Sequence, residues 1–239
     1  QKTAYEIKEC DWSSDVCSSD LAGIRAYTEA WGQRYEKAPK DKTTGMNYAR
    51  GLRAQAQYAQ AIAVLENLAI SNPKDGEILA AYGKALASGG RLQEASDVLQ
   101  RAHTPDRPNW SVLSAQGSVA DQMGDHASAQ QYYLAALKIV PGEPSVMSNL
   151  GLSYALSRHL KEAESVLRNA SMNPNADSRV RQNLALVLSL QGKFEEAEAI
   201  SRQDLSPADA QANIQQVREM IAQSNSWSRI SKEAQEQGQ

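Results

Sequence analysis

The sequence contains few of the residues from which catalytic and metal sites are built. Among its 239 residues there are two cysteines and three histidines. Cys10 and Cys17 have no further thiol near them, and His103, His126 and His159 are far away, so the close ligand pairs of a structural zinc site are missing. No histidine has a carboxylate or hydroxyl at a suggestive spacing, and neither G-x-x-x-x-G-K nor G-x-G-x-x-G occurs. The sequence therefore predicts that the chain is not an enzyme and holds no metal or cofactor.

Two further absences concern membranes and nucleic acids. No apolar run approaches the roughly 20 residues that a membrane-spanning helix needs. The basic residues form no cluster and the formal net charge is −3, which argues against nucleic acid as the main partner. A single phenylalanine and few β-branched runs disfavour strands, whereas abundant Ala, Gln and Leu favour helix.

The N-terminal segment differs in character from the rest of the chain. The stretch CDWSSDVCSSDL, which ends at Leu21, can be encoded by one reading frame of a standard short-read sequencing adapter, and QKTAYEI resembles the outer end of that adapter. A metal loop, a Cys10–Cys17 disulfide and a secretory signal peptide each fit the segment poorly. We therefore interpret residues 1–21 as an adapter-derived artefact and expect the native N-terminus to be lost.

Excluding residues 1–21 changes the charge and the cysteine content. The segment holds two of the 25 basic and five of the 28 acidic residues, which leaves 23 of each and a net charge near zero. The remaining sequence has no cysteine, and so it gives no indication of the redox compartment.

An alanine recurs every 34 residues through the rest of the chain, at Ala61, Ala95, Ala129, Ala163 and Ala197. A second set of small residues lies twelve positions earlier in each unit: Ala49, Gly83, Gly117, Gly151 and Ala185. Large apolar residues at three- and four-residue spacing surround both sets, which indicates amphipathic helices. A 34-residue helix–turn–helix period is typical of tetratricopeptide repeats (TPRs), so the sequence predicts an all-α, right-handed TPR α-solenoid.

The repeat register predicts how the chain is divided. Residues 22–41 fit the second helix of a truncated repeat, and residues 42–207 form five 34-residue TPR units. Residues 208–224 are predicted to be a helix that caps the last unit, because stacked repeats need a cover for their last apolar face. Residues 225–239 are polar and are predicted to be disordered.

The first helices of stacked TPR units line a concave groove, which suits an extended segment or a helix of another protein. Three asparagines, Asn47, Asn149 and Asn183, share one repeat position on that face, and their amides can both donate to and accept from a peptide backbone. Polar residues surround them: Arg50, Arg53, Lys84, Gln122, Arg179 and Gln182. These nine residues are the predicted protein-binding groove, and the alternative is that they are ordinary soluble surface positions.

Several stretches resemble a narrower family. They include RYEKAPKDKTTGMNYARGLRA, the phrase HTPDRP between the second and third units, and DLSPADAQANIQQVREMIAQSNSW after the fifth. These are similar to the TadD family of bacterial Flp pilus assembly proteins, over essentially all of residues 22–227. The terminal helix and HTPDRP are not shared by TPR proteins in general.

The resemblance implies a non-catalytic scaffold of the tight-adherence (Tad) secretion machine. Members of the family are TPR lipoproteins at the periplasmic face of the outer membrane, so membrane contact is expected only through a lipid anchor. The expected partners are the Tad secretin or other pilus-assembly components. A second hypothesis is a TPR adaptor for an enzyme or a polysaccharide-export system, with a catalytic domain upstream of the present chain.

Overall fold

The computed structural model describes residues 21–237, with side chains to residue 223. Twelve α-helices follow one another within this range: α1 (Leu21–Lys37), α2 (Lys42–Ala54), α3 (Tyr58–Ser71), α4 (Gly76–Ser88), α5 (Leu92–Gln100), α6 (Trp110–Gln122), α7 (His126–Ile139), α8 (Pro144–Leu156), α9 (Leu160–Ser171), α10 (Ser178–Leu190), α11 (Phe194–Ser201) and α12 (Pro207–Gln237). Helices α2 to α11 pair into five hairpins, each with a first helix of even number and a second helix of odd number. The predicted all-α fold of helix–turn–helix units is confirmed.

A side-chain cap starts every first helix at the same place in the 34-residue register. The capping residues are Asp41, Asp75, Asn109, Glu143 and Asp177, and each accepts a hydrogen bond from a backbone N–H in the first helical turn. These N–H groups have no partner within the helix, and a cap of this kind stabilises a helix by about 1 kcal/mol. The caps therefore fix where each unit begins.

The turn inside each hairpin also recurs at one position. Its residue has a positive φ in all five units: Ala56, Gly90, Gly124, Arg158 and Gly192. Glycine adopts this left-handed conformation without steric cost. Arg158, which departs from the sequence pattern of small turn residues, has a φ of 66° and makes the same turn.

The two helices of a hairpin approach closely where the first helix carries glycine. A Cβ added to Gly117 would lie 2.6 Å from Cε1 of Tyr133, and one added to Gly151 would lie 2.5 Å from Cγ of Leu167. Side chains essentially never approach so closely, so a larger residue requires the helices to move. The repeated alanines of the second helices are completely buried: Ala61, Ala95, Ala129, Ala163 and Ala197.

The helices form two compact units. The first unit ends at Ile139 and contains α1 to α7, and its core includes Leu65 and Leu86. The second unit begins at Val140 and contains α8 to α12, with Leu167 and Leu188 in its core.

Helix α12 covers α10 and α11 in the second unit. Ala210 and Ile214 are buried there, and the guanidinium carbon of Arg218 lies 4.3 Å from the centroid of the Phe194 ring. The helix begins at Pro207, and the hydroxyl of Ser206 accepts a hydrogen bond from the backbone N–H of Asp209. Proline suits a first helical position because it lacks an N–H group.

The structure differs from the predicted division at both ends of the described range. Helix α1 begins at Leu21, and the rest of the segment interpreted as adapter, with Cys10 and Cys17, lies outside the described residues. Helix α12 continues to Gln237, so the prediction of disorder is wrong for residues 225–237. No proline or glycine interrupts residues 208–237, and their Ala, Gln, Glu and Lys favour helix even though they are polar.

A charged network joins α9 to the turn between α10 and α11. Glu164 accepts hydrogen bonds from Lys193 Nζ at 2.6 Å, Arg168 Nε at 2.9 Å and Gln191 Nε2 at 2.9 Å. These bonds, above all the one from Lys193, lower the pKa of the Glu164 carboxyl from 4.5 to about 2. The network stabilises the fold through the ionised carboxylate.

We expect Gly117→Ala to lower the free energy of unfolding by about 1–3 kcal/mol, because the new methyl group would overlap the ring of Tyr133. Helix propensity alone predicts the opposite sign, a gain of about 0.5–1 kcal/mol. Urea denaturation measures which effect is larger. Gln131→Ala, at an exposed position of α7, should change the stability by less than about 0.5 kcal/mol. A stabilised Gly117→Ala variant would contradict the packing argument.

We expect Glu164→Gln to lower the free energy of unfolding by about 1–3 kcal/mol at pH 7, because three hydrogen bonds to a charge are weakened. The folded-state pKa lies below its ordinary value, so this stabilisation is complete above about pH 4.5 and is lost as the pH falls toward 2. Urea unfolding at several pH values should show the difference between variant and parent shrinking over that range. Glu162→Gln, at an exposed position of the same helix, is the control. A pH-independent difference would show that the charge of Glu164 is not responsible.

Candidate protein-binding surface

The predicted groove residues lie on the first helices of the two units. In the first unit α2, α4 and α6 lie side by side, and they carry Asn47, Arg50, Arg53, Lys84 and Gln122. In the second unit α8 and α10 are neighbours and carry Asn149, Arg179, Gln182 and Asn183. Each unit thus presents its own polar surface, and a role of these residues in binding stays a prediction.

Asn47 is held at the contact of α1 with α2. Its Oδ1 accepts a hydrogen bond from the Tyr27 hydroxyl at 2.8 Å, and its Nδ2 donates to the carbonyl oxygen of Thr43 at 2.9 Å. Burial raises the pKa of the Tyr27 phenol, and the guanidinium of Arg50 opposes that rise. Both ends of the Asn47 amide are therefore oriented before any ligand binds.

Two long basic side chains connect neighbouring first helices in the first unit. Nη2 of Arg53 on α2 donates to Ser88 Oγ on α4 at 3.3 Å, and Nζ of Lys84 on α4 donates to Ser111 Oγ on α6 at 2.6 Å. Arg53 Nε is buried and has no hydrogen-bond partner among the described residues, and burial lowers the pKa of this guanidinium. Gln122 is exposed and donates to the carbonyl oxygen of Ser118 on its own helix at 3.3 Å.

The second unit links its first helices through asparagine. Nδ2 of Asn183 on α10 donates to the buried Ser148 Oγ on α8 at 2.9 Å. Arg179 lies beside Asp177, with Nη2 and Oδ2 3.5 Å apart. Gln182 is exposed and Asn149 is half-buried. Asn183 therefore has a structural role in addition to its predicted contact with a ligand.

The expectation that no histidine has a suitably placed partner is wrong. His126 Nδ1 lies 2.8 Å from Asp121 Oδ1, and the Tyr133 hydroxyl donates to Asp121 Oδ2 at 3.1 Å. Burial is the main cause of a strongly raised pKa of the Tyr133 phenol. The turn between α6 and α7 reverses the chain and brings these residues together, which a search for short helical spacings does not detect. The three groups join the two helices of one hairpin.

A second histidine has a hydroxyl neighbour. His159 Nδ1 lies 3.1 Å from Ser157 Oγ, but that hydroxyl is also within hydrogen-bond distance of the carbonyl oxygens of Ser153 and Tyr154. A serine whose proton is directed to backbone carbonyls is not activated as a nucleophile. Within residues 21–237, His, Cys, Asp and Glu side chains do not gather in threes that could hold a metal ion. In the same range, each helix is either too short or too polar to cross a bilayer.

The first helices of the second unit also expose apolar side chains that the sequence did not mark as a site. Leu156, Leu186, Leu190 and Met220 are exposed in the structure. They sit at the 34-residue equivalents of polar groove positions in the first unit, and this register is the signal that could have identified them. Helical spacing alone assigned such leucines to the core.

Two family models described as tetratricopeptide repeat match the sequence, one over residues 52–116 and the other over residues 114–178. Together they span more than half of the chain. No curated protein sequence matches.

Solved structures share the fold at low sequence identity. A tetratricopeptide repeat protein from Parabacteroides merdae is 11% identical, with a TM-score of 0.70, and the alignment covers 83% of this chain and 77% of that one. The pilF protein of Pseudomonas aeruginosa is 19% identical, with a TM-score of 0.58 and coverage of 79% and 91%. YrrB, described as a TPR protein with an unusual peptide-binding site, is 16% identical, with a TM-score of 0.51 and coverage of 82% and 99%. At these identities the likeness is one of fold.

We expect Arg53→Met to leave the free energy of unfolding unchanged or to raise it by up to about 1 kcal/mol. The substitution removes a desolvated charge that has little compensation and keeps the apolar length of the side chain. Arg25→Met, at an exposed position of α1, is the control and should lie within about 0.5 kcal/mol of the parent. Urea denaturation measures both. A loss well above 1 kcal/mol for Arg53→Met would show that this arginine is needed for the fold rather than for a ligand.

Proposed function

Since the chain belongs to the tetratricopeptide-repeat proteins, we propose that it binds protein components during assembly of a bacterial Flp/Tad pilus secretion apparatus. TPR proteins present first-helix surfaces to other proteins, and the class is typically non-catalytic. The observation that carries the narrower proposal is the sequence resemblance to the TadD family, which includes HTPDRP and the terminal helix. The fold neighbours agree with a binding scaffold and do not distinguish among its partners.

The first-helix surfaces support protein binding in physical terms. Asn47 is fixed by Tyr27 and Thr43, and Asn183 is fixed by Ser148, so these amides lose little conformational freedom when a ligand binds. The buried, poorly compensated guanidinium of Arg53 contributes little to folding. Costly polar groups of this kind are expected at functional surfaces.

We further propose, from the same resemblance, that the scaffold acts at the periplasmic face of the outer membrane. Its membrane contact would be a lipid anchor on a native N-terminus. The proposed partners are the Tad secretin and other pilus-assembly components.

Binding of the purified chain to the purified Tad secretin of the same organism, measured by biolayer interferometry, tests the proposal. We expect saturable binding that weakens about tenfold or more, equivalent to about 1.4 kcal/mol, when Asn47, Asn149 and Asn183 are all changed to Ala. The matched control changes Asn67 and Asn169, two exposed asparagines of the second helices α3 and α9, to Ala. Thermal unfolding of both variants checks that they remain folded.

Deletion of the gene provides the test in cells. Loss of Flp pili, restored by the parent gene, is the expected result. Intact pili in the deletion strain, together with no binding to any purified Tad component, would refute the proposal. A defect in polysaccharide export instead would favour the adaptor hypothesis.

A further inference from the structure

The second unit carries a row of apolar side chains on its first-helix surface. Leu152, Leu186 and Met220 occupy one repeat position on α8, α10 and α12, 34 residues apart. Leu156 and Leu190 follow one helical turn later on α8 and α10. Leu156 is 59% exposed, Leu190 40% and Met220 62%, although large apolar residues are more often buried.

These five residues form one surface, which we call the leucine face. Residues four apart lie on the same side of a helix, about 6 Å from each other along its axis. Helix α10 contacts both α8 and α12, and packed helices are about 8–10 Å apart. The leucine face is therefore continuous across three neighbouring helices of one unit, over a length of roughly 20 Å.

The fold does not require leucine at these positions. The equivalent residues of the three hairpins in the first unit are polar or small, and they form the same helices: Arg50, Lys84 and Ser118 at the first position, and Ala54, Ser88 and Gln122 at the second. Because packing of the hairpin is satisfied without an apolar residue there, burial within the unit does not explain the leucine face. An exposed, contiguous apolar surface of this kind marks a contact with another molecule.

The charges around the leucine face restrict what can cover it. Helix α8 contains no charged residue, and α10 contains Arg179 and Arg181 but no carboxylate. A charged side chain of a partner placed against the leucines would lose its hydration without a counter-ion. Beside the leucines, the two arginines favour acidic over basic groups on the partner.

The backbone of the partner is restricted as well. The leucine face offers apolar side chains and no row of hydrogen-bonding groups between them. An extended peptide laid over it would leave backbone N–H and C=O groups unpaired, whereas a helix satisfies these groups internally. An amphipathic helix places apolar side chains at intervals of three and four residues, which matches two leucines per helix of the surface.

We propose that the leucine face docks an amphipathic helix of a partner protein, with an uncharged apolar contact face and acidic residues along its border. The inference rests on the proposed function only in that the chain binds protein. It names the chemistry of the ligand and the unit that receives it.

Fluorescence anisotropy of the full chain with labelled synthetic helical peptides tests the inference. The peptides have about four helical turns and an apolar stripe of leucines. Their borders are acidic in one peptide and basic in a second, and a third peptide has the acidic composition in scrambled order. We expect the acidic-bordered peptide to bind about tenfold more tightly than either of the other two, a difference of about 1.4 kcal/mol. Absence of binding by the acidic-bordered peptide, or equal binding of the scrambled one, overturns the inference.

Variants of the leucine face locate the binding. Leu156→Gln combined with Leu190→Gln should weaken binding of the acidic-bordered peptide by about tenfold or more. Ile70→Gln combined with Met172→Gln removes two exposed apolar residues, 73% and 76% accessible, at the ends of second helices, and should leave binding unchanged. An equal loss in both double variants would show that the peptide binds apolar surface in general, which contradicts the inference.

Two further readouts separate the remaining outcomes. If sedimentation shows a dimer of the parent and a monomer of the leucine-face variant, a second copy covers this face and the partner-helix inference is wrong. Secretin binding is measured with the same variant. Secretin binding that persists while the acidic-bordered peptide fails to bind the parent would refute the inference and leave the proposed function standing.

Discussion

The close approach of the two helices within each hairpin is the constraint on which the rest of the structure depends. At Gly117 the first helix has no side chain, and the ring of Tyr133 from the second helix occupies that space. Gly151 and Leu167 repeat the arrangement 34 residues later. A glycine inside a helix costs about 0.5–1 kcal/mol, and the buried large residue opposite offsets that cost. Because the contact recurs at a fixed interval, it sets the register for all five hairpins.

The same contact determines which surface is left for other molecules. Each second helix covers one side of its first helix, and the neighbouring hairpin of the same unit covers another. The side that remains uncovered carries the groove positions, and capping residues such as Asp75 and Asp177 hold the start of each first helix in place. Side chains on this surface are therefore presented by rigid elements rather than by loops, which favours precise contacts with a partner.

The regular part of the fold could be predicted from the sequence, because a 34-residue period is visible in small residues that few other folds require. The five hairpins and the terminal helix follow from it. The length of α12 could not be predicted, since polar residues such as those at 225–237 occur both in disordered tails and in exposed helices.

The candidate site was less accessible to prediction. The sequence placed the asparagines on first helices, but the hydrogen bond of Asn47 to Tyr27 and that of Asn183 to Ser148 depend on tertiary contacts. Leu188 is completely buried and Leu190 is 40% exposed, and apolar spacing on a helix rich in leucine does not distinguish the two. The pairing of His126 with Asp121 was missed for a similar reason, because it depends on the geometry of a turn.

The shared place of Lys84 and Leu186 in the repeat register has a consequence for how such a chain acquires new ligands. One residue is cationic and the other apolar, yet both hairpins form, so the chemistry of the exposed position is independent of the contacts that build the unit. Single substitutions can then change what one segment of the surface recognises while the hairpins on either side stay intact. Recognition in this protein can diversify in modular steps, one repeat at a time, without redesign of the scaffold.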